Sequence, residues 1–80
     1  MFNFDVNTNV KCWFDGDLIW FADNSGEYLI NPHFGTFTDS DGFVWVDVEC
    51  FYTCEEQSFR PQDLPKEVQN ALKISWKKYA

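Results

Sequence analysis

Residues 43–54, FVWVDVECFYTC, are the stretch that decides the fold. Residues 43–53 form the longest β-prone run in the chain, rich in β-branched and aromatic residues. Successive side chains of a strand point to opposite faces. One face then carries Val44, Val46, Val48, Cys50 and Tyr52, a plain core set. The other carries Phe43, Trp45, Asp47, Glu49 and Phe51. That second face is too acidic to be buried whole and too apolar to serve only as a solvated surface. Which face a covering element takes decides what the mixed face can do.

Shorter strands precede this run. Phe2, Phe4 and Val6 alternate with polar neighbours and predict a first strand, and residues 10–14 a second. Asp15-Gly16 is a type I′ hairpin signal, and LIWFA resumes a strand at once. Asn24-Ser25-Gly26 turns the chain into EYLI; NPHFG follows as a loop, then GTFT and the turn Asp39-Ser40-Asp41-Gly42. Beyond Cys54 the pattern changes. Residues 55–62, EEQSFRPQ, read as a polar connector. Asp63-Leu64-Pro65 reads as a helix start, a carboxylate cap with proline in the first turn. Leu64, Val68, Ala71, Leu72, Ser75, Trp76 and Tyr79 fall on one helical face. The predicted architecture is α+β: a small, strongly bent antiparallel meander of four to six strands over residues 1–54, and one helix over residues 63–79 packed on it. Eighty residues are expected to make one domain.

The chain carries 13 acids against 6 bases, a net charge of −7. The imbalance is uneven: residues 1–56 hold eleven acids and one lysine, and residues 57–80 two acids and five bases. Such a chain repels phosphate, so direct nucleic-acid binding and anionic membrane surfaces are not expected, and a basic protein surface is the natural partner. Nine Phe, four Trp and three Tyr are more aromatics than so small a core encloses, so some are expected on the surface, where they favour binding. The three cysteines are an odd number and the opening MFNFDVN lacks a basic start and a long apolar run, which suggests a cytoplasmic setting with free thiols.

Catalytic and cofactor signatures are weak. Asp47 and Glu49 are neighbouring carboxylates beside aromatics on one strand face, the residue types of a glycosidase acid/base pair, but that geometry depends on opposing loops or strands and one strand rarely supplies it alone. Asp15, Asp17, Asp39 and Asp41 sit in two D-x-D turns, and turn chemistry explains them; at 39–42 an EF-hand would need its first acid where Phe37 stands. Cys12, Cys50, Cys54 and His33 could supply a Cys₃His zinc set, but Cys50 lies mid-strand rather than on a knuckle. No P-loop and no G-x-G-x-x-G occurs. No cofactor and no metal is expected.

These readings favour a non-enzymatic binding protein, an inhibitor that occupies a basic surface of a nucleic-acid-handling protein. Phage-encoded inhibitors of host defence nucleases, the anti-CRISPR type among them, and immunity proteins against nuclease toxins share this acidic, aromatic character. The expected contact residues are Trp45, Asp47, Glu49 and Phe51, supported by Asp15, Asp17, Asp39 and Asp41. The alternatives are a structural protein or homodimer that uses the aromatic sheet face as its interface, and a small hydrolase built on Asp47 and Glu49.

Overall fold

The structure is a computed structural model and describes residues 1–78. Six antiparallel strands form one open sheet, followed by a single helix, as the α+β reading requires. The elements are β1 (Lys11–Asp15), β2 (Leu18–Asp23), β3 (Gly26–Ile30), β4 (Thr36–Thr38), β5 (Val44–Cys50), β6 (Glu56–Phe59) and α1 (Lys66–Lys78). Strands β1, β2 and β3 form one hairpin meander and β4, β5 and β6 a second. They join where β3 pairs β5, through Tyr28↔Cys50 and Leu29↔Glu49. Val46 faces Thr36 on one edge of β5 and Phe59 on the other, while Glu49 faces Leu29 and Glu56. Strands β3 and β4 therefore follow one another along the same edge of β5, and β6 takes the opposite edge.

The helix covers the valine face. Val46, Val48 and Cys50 are buried, with Ile19 and Phe21 of β2, Tyr28 and Ile30 of β3, and Phe59 of β6. Val68, Ala71, Leu72 and Ser75 of α1 close that layer. The expected helical stripe is the buried one, with Trp76 at its margin donating from Nε1 to the Pro32 carbonyl at 3.4 Å; Tyr79 lies outside the described residues. Phe43 and Trp45, which could have tucked beneath the helix, lie off its face: β5 presents Trp45 on the side opposite Val46.

Several boundaries differ from the sequence reading. Residues 2–6 form no strand. Phe2 and Phe4 instead fold over the core edge against Tyr28 and Phe59, with ring centroids 4.8–5.7 Å apart. The Phe2 N–H donates to the Gln57 side chain at 3.1 Å, so the segment is tied without a ladder. Its alternation reflects aromatic burial only. Residues 55–62 are not a plain connector: Glu56–Phe59 is β6, burying Phe59 against the core. Of the two central residues in the β1–β2 turn only Gly16 has positive φ (60°), which is the II′ arrangement rather than I′. Asp63 does not cap the helix. It ends the 3₁₀ turn Pro61–Asp63, and Leu64 is extended (φ −100°, ψ 155°), as a residue before proline must be. The helix then begins at Lys66, with the Val68 and Gln69 N–H groups donating to the Pro65 carbonyl. The run expected to extend through residue 53 ends at Cys50, where a turn over residues 51–53 begins.

Candidate functional site

Because α1 takes the valine face, the opposite sheet face is open. Its side chains line up in a row across five strands: Trp13↔Trp20↔Leu29↔Glu49↔Glu56. One end of the row is aromatic. Trp13 and Trp20 stack at 6.3 Å, and Phe51, beyond the end of β5, meets Trp20 at 5.5 Å. The other end is acidic. Glu49 and Glu56 stand directly opposite each other, and Asp47 follows two residues along the same face. Asp47 accepts a 2.6 Å hydrogen bond from Ser58 Oγ on β6. Among the described residues, none of these three carboxylates has an ion-pair partner. Like charges directly opposite on neighbouring strands destabilise a sheet.

Beside the acids lies a shallow cleft of about 210 Å³, lined by Leu29, Asn31, Phe34, Gly35, Asp47, Glu49 and Glu56. The loop between β3 and β4 builds its wall. Asn31 Oδ1 accepts the N–H groups of His33 and Phe34, and Thr36 Oγ1 donates to the Pro32 carbonyl. Gly35 donates to the Asn31 carbonyl at 2.7 Å and accepts from the Asp47 N–H at 2.7 Å. A Cβ on residue 35 would sit 2.7 Å from the Asn31 carbonyl oxygen, so only glycine closes this loop. The tied loop holds Phe34 out at 90% exposure. An aromatic this exposed has no role in the core.

Trp45 is pinned rather than free. Its Nε1 donates to Asp39 Oδ2 at 2.7 Å, and the Arg60 guanidinium lies 4.2 Å from the Phe43 ring centroid and 5.8 Å from that of Trp45. Asp39 Oδ1 also accepts the N–H groups of Asp41 and Phe43. The bond from Trp45, then the backbone bond from Phe43, hold the Asp39 carboxyl below its ordinary value. Asp39 thus orders the β4–β5 turn and aims an aromatic, while Asp41 beside it is exposed.

The expected contact residues fall into separate places. Asp47 and Glu49 meet in the cleft, and Trp45 with Asp39 lies on the same β5 face toward the β4–β5 turn. Asp15 and Asp17 belong to the β1–β2 hairpin, at the other side of the sheet. Phe51 joins the Trp13–Trp20 aromatic end. Glu56 and Phe34 were not anticipated: one lay in the supposed connector, the other in a loop without period. The Gln57 and Phe59 alternation was the available signal for β6.

The thiols are free. Cys50 faces the core and Cys54 is exposed, with φ 56° in the tight turn where its N–H donates to the Cys50 carbonyl. Burial, and Glu67 nearby, raise the Cys12 thiol above its ordinary pKa. Among the described residues no group of three or more His, Cys, Asp or Glu is placed to hold a metal ion, and no helix is long and apolar enough to cross a membrane. Comparison with known protein families, curated proteins and solved structures finds no match.

Proposed function

We propose that the chain is a non-enzymatic inhibitor that occupies a basic, phosphate-handling surface of another protein through the open face of its sheet. The observation that carries this reading is the row of carboxylates, Asp47, Glu49 and Glu56, without an ion-pair partner among the described residues, beside a fully presented Phe34 on the face that the helix leaves open. Carboxylates spaced on a rigid sheet stand where phosphates would lie and steer association with a basic groove. Phe34 and the pinned Trp45 supply aromatic anchors, the residue class that carries most interface energy. Repulsion between Glu49 and Glu56 is a cost to the free chain that a cationic partner relieves. Inhibitors of defence nucleases and immunity proteins against nuclease toxins are the two biological types that fit. A cytoplasmic site of action belongs to this proposal.

The test is capture from bacterial lysates at low and high salt, with the captured protein then purified and assayed for nucleic-acid binding in competition with this chain. The expected result is a basic partner whose binding weakens steeply with salt, is competed by nucleic acid, and is lost in Asp47→Lys/Glu49→Lys. A partner held equally at all salt concentrations, or held by that double variant, would overturn the reading. Saturable turnover abolished by Asp47→Asn would establish the hydrolase alternative instead.

A further inference from the structure

We infer that the free edge of β1 is a self-complementary seam that pairs with β1 of a second copy of the chain, joining two sheets into one. The proposal is independent of the acidic cleft, which lies among β3, β5 and β6.

Among the described residues, no strand pairs the outer side of β1. In a two-residue hairpin the flanking pair is hydrogen-bonded, here Asp15 and Leu18. Odd-numbered residues of β1 therefore bond inward to β2, and Cys12 and Phe14 aim their N–H and C=O groups outward. An antiparallel copy must match Cys12 and Phe14 with outward residues of its own. The register centred on Trp13 does so and spans the whole strand. It sets Cys12 against the partner's Phe14, and Trp13 against the partner's Trp13. It also sets Lys11 against the partner's Asp15, twice by symmetry. The sequence KCWFD is thus complementary to itself when reversed, basic end to acidic end with apolar residues between.

Three further observations favour a second copy over another occupant. First, β1 and the helix beside it do not share the acidity of the rest of the chain. Residues 11–17 and 66–78 hold five lysines and three acids, in a chain of net charge −7. Second, α1 runs alongside β1, with Glu67 at the end near Cys12 and Lys78 at the end near Phe14 and Asp17. A two-fold axis through Trp13 places Glu67 of one helix toward the basic last turn, Lys77 and Lys78, of the other. Third, the exposed apolar groups of this region converge on the seam: Trp13 at 40%, Phe14 at 47% and Ile74 at 59% exposure. Cavities of about 360 and 290 Å³ flank them between β1 and α1. Pairing would also align the Trp13–Trp20 stacks of both copies into one row. An exposed apolar edge otherwise invites uncontrolled association, and closure by a two-fold axis removes it.

Sedimentation equilibrium on the full chain, across a concentration series, tests this. The wild type is expected to dimerise. Lys11→Glu and Asp15→Lys, each on an exposed side chain, are expected to weaken the dimer by about tenfold, since two symmetric cross-strand pairs turn from attractive to repulsive. The combined Lys11→Glu/Asp15→Lys chain restores complementarity and should return to within about threefold of wild type. A wild type that stays monomeric throughout overturns the inference, and leaves the edge to a strand of some other protein. So does a dimer indifferent to both single reversals, or one that the combined variant fails to restore.

Discussion

The indole N–H of Trp45 donates to Asp39 Oδ2 at 2.7 Å, which ties the β4–β5 turn to the open sheet face. This bond makes the turn and the aromatic one unit, so Asp39 is better described as a support of the face than as a contact on it. Its carboxyl titrates below the ordinary 3.8, first because of Trp45 and then because of the Phe43 N–H. A depressed folded value stabilises the folded chain at every pH above the ordinary one. That contribution is lost as the pH falls through the folded value. Asp39→Asn should remove this acid-side dependence. Urea unfolding midpoints from pH 7 down to pH 2 should fall less steeply for the variant than for the wild type. Equal slopes would mean that the bond does not hold in solution.

Glu49 and Glu56 face each other, and among the described residues neither has an ion-pair partner. Glu49→Gln is expected to stabilise the isolated chain by about 0.5 kcal/mol, with the gain shrinking as salt screens the repulsion. The same substitution should weaken capture of a basic partner. Chemical denaturation at two ionic strengths, beside a binding titration, measures both. A destabilised variant would show that repulsion is not what the pair contributes.

Phe34 buries almost nothing in the free chain. Phe34→Ala should therefore leave the unfolding midpoint within about 0.5 kcal/mol of wild type, yet cost the complex about 2 kcal/mol or more if the residue is an anchor. Calorimetric titration with the captured partner decides this, and unchanged affinity would remove Phe34 from the interface.

Gly35→Ala places a methyl group 2.7 Å from a backbone oxygen, so the loop must shift. A loss of about 1–3 kcal/mol is expected. Amide exchange should quicken at Asp47, whose N–H is bonded to the Gly35 carbonyl. Protection that stays the same at Asp47 would show that the loop adapts without disturbing β5.

Phe4→Ala tests the N-terminal cover. Phe4 is half-buried against Phe21, Tyr28 and Phe59. Its loss should cost about 2–3 kcal/mol, below the ~3–5 of a fully enclosed aromatic, read as a shifted thermal or urea midpoint. A change under about 0.5 kcal/mol would show that residues 1–10 are not part of the cooperative unit.

Alternation made β2, β3 and β5 legible, because each buries one face and exposes the other. The stripe through Val68, Ala71 and Leu72 did the same for the helix. The misreadings share one cause: side-chain period reports burial, not hydrogen bonding. Phe2 and Phe4 alternate inward without a ladder, whereas β6 has a ladder but buries only Phe59 fully. The carboxylate half of the site followed from Asp47 and Glu49 lying on one strand face. Phe34 did not, since its direction is set by Asn31 and Gly35 through contacts that leave no periodic trace. Asp39 was read as a turn acid, and only its distance to Trp45 shows what it holds.

The two strand meanders meet along a ladder of two residue pairs, Tyr28↔Cys50 and Leu29↔Glu49, extended by the Asp47–Gly35 bond. Within each meander the pairings are local in sequence, and such units form early and open as units. The cleft draws Leu29 from one meander and Asp47, Glu49 and Glu56 from the other. The cleft therefore exists only while the two foldons are docked, and it vanishes in a partly open state that keeps nearly all its strands. A ligand that grips both sides works as a latch. It should slow exchange of amides at the junction far more than those inside either meander.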